Sequence, residues 1–329
     1  MKKYPLLLRP VSKEIIWGGD RLRREYNKTA PFEKIAESWE LTVREKEMCV
    51  IADGVYAGIA LGDYIDAARR SVLGLCGARY DRFPLLIKFI DAADRLSIQV
   101  HPDNEYGLAN EGELGKTEMW YIMAAEPGAQ LVYGLKDGCT VPAFAEAVAE
   151  GRTEEELNFV DVHPGEVYFI PSGQVHAIGA GILIAEIQQN SNITYRVYDY
   201  NRPGADGKPR ELHTAKALDV IKLRTEEEID AIRFALPCRF RPCDTCEILA
   251  SCEYFTVVKY KTAPGSTALY DSTDRSFASL LVLDAGDDAE LEWGDEVYPL
   301  HKGESWFIPA GTGEMQISGA AECILSEVN

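Results

Sequence analysis

Three short stretches of the chain carry side chains whose types and spacing suit metal chemistry. In "SIQVHPD", Gln99 and His101 stand two residues apart just before a proline. Extended backbone projects residues i and i+2 from one face, so an amide and an imidazole lie side by side while Ile98 and Val100 point away. "GKTEMWYI" repeats the pattern, with Lys116, Glu118 and Trp120 alternating with Thr117, Met119 and Tyr121. In "PSGQVHAIGAG" a Pro-x-Gly turn aims His176 from a strand end. Two imidazoles, one carboxylate and one amide oxygen suit zinc with an open position for water or substrate. By ligand type alone, iron, manganese, nickel and cobalt fit as well.

Other side chains of this kind read as structural. His163 lies in the turn "DVHPGE" and His213 opens the helical stretch "ELHTAKAL", which are turn and cap positions. Cys238, Cys243, Cys246 and Cys252 crowd into "CRFRPCDTCEILASC" but contain a single C-x2-C, so they read as ordinary thiols. Eight cysteines without an export signal fit a reducing compartment.

The elements that position these residues are mostly strands. Short, turn-bounded apolar runs fill 85–135, 155–200 and 253 to the end, among them "PLLIKFIDA", "EMWYIMAAE", "GEVYFIP" and "FTVVKYKT". Helical spacing is confined to "IALGDYIDAARRSVLG", "VPAFAEAVAEG" and "HTAKALDVIKL". Helices that punctuate the strands rather than alternate with them exclude a doubly wound sheet, and no glycine-rich phosphate loop follows a strand. An internal repeat gives the architecture. "GEVYFIPSGQVH" from Gly165 aligns without a gap on "GESWFIPAGTGE" from Gly303, matching Gly165, Pro171, Gly173 and His176 to Gly303, Pro309, Gly311 and Glu314.

The reading is a mainly β chain of two jelly-roll β-barrels with a small helical side layer near the cavity mouth. Residues 1–236 form a metal-binding N-terminal barrel, and 237–329 a degenerate C-terminal one in which Glu314 has only the distant His301 for company. A length of 329 residues accommodates two such units. The formal net charge of −19 argues against nucleic acid or an anionic membrane as partner. A small anionic substrate then needs a local cluster of cations. "MKKYPLLLRP" has too short an apolar run for a signal peptide, so a cytoplasmic location is expected.

In "IIWGGDRL", "IAESWELT", "PLLIKFIDAADRLSIQVHPD", "GKTEMWYI", "PSGQVHAIGAG" and "AEIQQNSNITYRVYDYNR", in that order along nearly the whole length, the chain resembles the type I mannose-6-phosphate isomerases of the cupin superfamily, in their shorter bacterial form. The resemblance implies one Zn2+ per chain held by Gln99, His101, Glu118 and His176, with Arg196 an essential active-site cation. Lys116 and Glu186 match polar residues near the metal, and Ser97 matches a residue near the substrate phosphate. The implied reaction interconverts mannose 6-phosphate and fructose 6-phosphate through an enediol, with Glu186 or Lys116 moving the proton. For the phosphate, Arg202 is the leading candidate, with Lys208 and Arg210 behind it. Trp17 and Glu40 sit in shared motifs and are expected to shape the pocket wall or touch sugar. Two rivals are an iron-dependent oxygenase on the same fold and a non-catalytic sugar-binding cupin; whether the chain is a monomer or a homodimer stays open.

Overall fold

The computed structural model describes residues 1–204 and 207–329, in which strands dominate and helices are short. Four larger sheets stack in layers. A six-stranded sheet runs in the order Val167–Ile170, Glu118–Ala125, Ile182–Gln189, Leu85–Ala92, Glu37–Leu41, Val11–Lys13. On one face it meets a five-stranded sheet of Leu157–Asp161, Gln130–Leu135, His176–Ile178, Ile98–Val100 and Tyr195–Tyr198. Trp120, Ile122, Ile184, Leu131 and Ile178 fill the space between them. On its other face it backs onto a seven-stranded sheet, through Phe89, Leu183 and Ile187 against Phe255, Leu281 and Phe307. A four-stranded sheet closes the far side over Leu280, Leu291, Trp306 and Ile317.

This layering puts both central strands wholly inside, their polar residues included. All eight residues of Leu85–Ala92 and of Ile182–Gln189 are buried, because both faces of the six-stranded sheet are covered. Alternation then sorts the residues: Leu85, Ile87 and Phe89 face the seven-stranded sheet, and Ile90 and Ala92 face the five-stranded one. Lys88 belongs to this second face, a buried charge in the same strand as buried Asp91.

Two expectations are revised. Leu6–Arg9 pairs with Ser305–Ile308, so the start of the chain belongs to the sheet of the C-terminal half and the halves interlock. The helical stretch near residue 60 does not cap a cavity mouth. It breaks after Ala67 at Arg69 and Arg70, both with positive φ, and Leu75 and Cys76 donate to the carbonyls of Asp274 and Arg275 in the other half. A further helix, Asn104–Glu111, follows directly on "HPD": Asp103 caps it by accepting from Tyr106 N at 3.0 Å. It buries only Gly107, so it leaves no apolar periodicity in the sequence.

The two repeat copies adopt matching turns. Gly165, Gly173, Gly303 and Gly311 all have φ between 75° and 93°, which disfavours a side chain at each. His176 is fully buried, whereas Glu314 is exposed.

Candidate metal centre and active-site cavity

Two cross-strand rows face one another across the N-terminal pair of sheets. In the six-stranded sheet, Trp39, Lys88, Glu186 and Trp120 stand opposite one another on four adjacent strands, with Glu118 in the next row beside Gln188. In the five-stranded sheet, Tyr133, His176, Gln99 and Arg196 form the corresponding row. His101 follows the end of its strand, and its carbonyl accepts from Gly173 N at 2.8 Å, tying it to the Pro-x-Gly turn that carries His176.

His101, Glu118 and His176 converge, and they are the only group of three or more His, Cys, Asp or Glu among the described residues with ligand atoms within 4.8 Å of one another. The two Nε2 atoms lie 3.1 Å apart, with Glu118 Oε1 3.4 Å from His176 Nε2 and Oε2 3.7 Å from His101 Nε2. The tautomers follow from the hydrogen bonds on the far side of each ring. His101 Nδ1 donates to the carbonyl of Ile193 and His176 Nδ1 to that of Gln174, each at 2.8 Å. A carbonyl only accepts, so both Nε2 atoms present lone pairs to the centre. Burial holds His101 well below the ordinary imidazole range and pushes His176 down to about 3, so neither ring gains a proton there at neutral pH. Glu118 Oε1 has no donor, and Oε2 meets only the Lys116 ammonium at 2.7 Å.

Acceptors facing acceptors in a dry interior repel unless a cation lies between them. The donor set therefore fits a divalent metal, and the Gln99 side chain stands at its edge, with its amide Nε2 3.4 Å from His176 Nε2. The four clustered cysteines of the C-terminal half form no comparable group among the described residues.

Next to this centre lies a cavity of about 470 Å³ lined by Trp17, Trp39, Lys88, Ser97, Gln99, Lys116, Glu186, Arg196 and Arg210, among others. A larger cavity of about 810 Å³ around 134–139 and 221–229 contains none of the three clustered ligands. Glu186 is buried between cations, with Oε1 2.9 Å from Lys88 and 3.9 Å from Lys116, while Trp120 Nε1 donates to Oε2 at 3.0 Å. Burial alone would raise Glu186, but Lys116 and Lys88 outweigh it and hold the carboxyl down at about 2. Burial, together with the charge of Glu186, pushes Glu118 the other way. Arg196 donates to Ser97 Oγ at 3.3 Å and to the Glu211 carbonyl at 2.8 Å.

Two expected substrate contacts lie elsewhere. Along Glu37–Leu41, alternation turns Glu37 and Trp39 to the cavity and Glu40 to the opposite face, where it pairs with buried Lys28 at 2.6 Å. Arg202 is drawn off the cavity by Asp199 and Asp94 at 2.9 and 3.1 Å. The structure adds Lys88, Trp39, Asn192 and Thr194 to the lining. Lys88 alone left a sequence signal, as the single charge in the first six residues of "LLIKFIDA".

The chain matches two family models: "Phosphomannose isomerase type I, catalytic domain" over residues 6–126 and "Mannose-6-phosphate isomerase, cupin domain" over 245–328. It is 38% identical over 329 residues to mannose-6-phosphate isomerase ManA of Bacillus subtilis, covering all of both chains. It is 36% identical to the mannose-6-phosphate isomerase of Streptococcus mutans, covering 99% of this chain and 98% of that one. The crystal structure of the mannose 6-phosphate isomerase from Bacillus subtilis superposes with a TM-score of 0.86 at 34% identity, covering 99% of each chain. Phosphomannose isomerase variants from Salmonella typhimurium share the fold, with a TM-score of 0.79 at 17% identity. With its full length matched at this identity and its N-terminal part matched by the type I catalytic-domain model, the chain belongs to the type I phosphomannose isomerases.

Proposed function

We propose that this chain interconverts mannose 6-phosphate and fructose 6-phosphate at one zinc site, and that its two pairs of sheets are tandem cupin barrels of which only the first binds metal. The observation that carries the reading is the convergence of two imidazole lone pairs and a buried carboxylate beside a cation-lined cavity. Similarity to mannose-6-phosphate isomerases over the full length supports the same substrate. Imidazole, carboxylate and amide donors suit zinc, with His101, Glu118, His176 and Gln99 as its holders. When bound, a divalent cation supplies Lewis-acid polarisation of the sugar's carbonyl and hydroxyl oxygens.

The chain's own residues do the rest. Arg196, buttressed by Ser97 and the Glu211 carbonyl, sets a fixed positive charge in the cavity wall, where oxyanion character develops on the enediol. A proton has to pass between C2 and C1. Glu186, held at about 2 by its two lysines, is a poor acceptor at neutral pH, which supports Lys116 as the proton carrier. Glu186 then serves to align Lys88 and Lys116. Arg210 takes the phosphate role in place of Arg202, since it lines the cavity. Neither the oxygenase nor the sugar-binding reading gives these cations a task.

A coupled assay of mannose 6-phosphate turnover, run with zinc-loaded and chelator-treated protein, tests the reading. Turnover is expected only with metal. No turnover by the loaded protein, beside a working control enzyme, would overturn it.

A further inference from the structure

Between residues 196 and 210 the chain places three arginines, Arg196, Arg202 and Arg210, around one carboxylate, Asp199, which is 4% exposed. Asp199 opens a tight turn: Arg202 N donates to its carbonyl at 3.2 Å, and the two central residues, Tyr200 and Asn201, have φ of 57° and 53°. Positive φ at both positions is the pattern of a type I′ turn, which asparagine tolerates and tyrosine does not. The Arg95 guanidinium, 3.5 Å from the Tyr200 ring centroid, clamps the strained residue.

The turn delivers the Asp199 carboxylate to two guanidiniums at once. Arg202 reaches Oδ1 through Nε at 3.1 Å and Nη2 at 2.9 Å. Arg210 takes both oxygens, Nε to Oδ2 at 2.6 Å and Nη2 to Oδ1 at 2.5 Å. Arg202 is further anchored by Asp94, away from the cavity, whereas Arg210 lines the cavity with Arg196 and Ser97. Burial would raise the Asp199 carboxyl, but Arg210 and Arg202 hold it below its usual range. Burial and then the charge of Arg210 hold the Arg196 guanidinium below its own. Two like charges thus share one wall, an arrangement completed by an anionic ligand.

Resting on the sugar-phosphate reading, we infer that Asp199 is a positioning residue for the phosphate end of the site: it grips Arg210 by its Nε–Nη2 edge, beside Arg196, and leaves the Nη1 edge to the phosphate. Arg202 closes the turn rather than binding substrate. Without the Asp199 charge, Arg210 loses its bidentate hold and is repelled by Arg196.

Isothermal titration of the full chain with inorganic phosphate, and steady-state kinetics with mannose 6-phosphate, test this. Asp199→Asn is expected to weaken phosphate binding and to raise KM about tenfold, the scale of one charge-assisted contact. Expected with it are a kcat within about threefold of the parent, an unchanged metal content, and partial rescue by Asp199→Glu. Arg210→Gln should weaken phosphate binding to a similar degree, and adding Asp199→Asn to it should change nothing more. Unchanged phosphate binding in either single variant, additive losses in the double variant, or a loss of kcat and metal at constant KM would each overturn the inference. Should Asp199→Asn fail to fold, Arg210→Gln alone decides through its phosphate affinity. Asp199-dependent phosphate binding in a chain without isomerase turnover would sink the isomerase reading and leave this one standing.

Discussion

His176 and Arg196 flank Gln99 from the strands on either side of it, yet their removal should leave different marks. His176→Ala deletes one of two lone pairs aimed at the cation, so metal content and turnover are expected to fall together, turnover by roughly 10³-fold or more. Arg196→Ala is expected to keep the metal and lose about 10²- to 10³-fold in kcat. Near-parental turnover in Arg196→Ala would remove its assigned role. The buried imidazoles also set a pH dependence. His176 titrates at about 6.5 in the unfolded chain and at about 3 in the fold, so between these values only the unfolded chain holds the proton. Stability of the metal-free protein is therefore present above pH 6.5 and is lost as pH falls, by about 1.4 kcal/mol per unit for each such ring. His101 acts in the same direction, while Glu118, raised by burial, opposes part of the slope. Urea melts of metal-free protein at pH 7.5 and 5.5 check the sign; equal or greater stability at pH 5.5 would contradict it.

At the scale of elements, the Pro171–Gly173 turn is what brings the two histidines together. Gly173 has φ of 88°, its N–H donates to His101, and its carbonyl accepts from Lys222 N at 3.0 Å. A Cβ there would lie 2.8 Å from the Val220 carbonyl oxygen. Gly173→Ala is expected to cost about 1–3 kcal/mol and to weaken metal binding, read by thermal melting and metal analysis. An unchanged melting temperature with full metal would show that the turn yields freely. Much of this was legible in the sequence, because it rests on local rules: the i, i+2 pairing of Gln99 with His101, the alternation through Lys116, Glu118 and Trp120, and the repeated Pro-x-Gly turn. What escaped was set by packing. Glu40 and Trp39 are neighbours in one strand, and nothing local says which side faces the cavity. Arg202 and Arg210 differ only in which of them Asp94 pulls outward. The Asn104–Glu111 helix left no pattern because it buries almost nothing.

For the molecule as a whole, the interlocked halves matter more than the division near residue 236. Leu6, fully buried, stands in a strand that joins the first residues of the chain to Phe307. Leu6→Ala is expected to cost about 2–5 kcal/mol while leaving metal content and kcat near parental values, since the strand lies on the far side of the six-stranded sheet from the cavity. Loss of metal at constant stability would show that the layers are coupled in another way. The charge of −19 is also organised at this scale: Arg196, Arg210, Lys88 and Lys116 collect around one cavity in a chain of net acidic charge.

The most direct measurement is metal stoichiometry and mannose 6-phosphate turnover on the same preparation, before chelation, after it, and after zinc is restored. One zinc per chain is expected, with turnover that disappears and returns with it. Undiminished turnover in protein shown to be free of metal would mean that His101, Glu118 and His176 converge for some other reason.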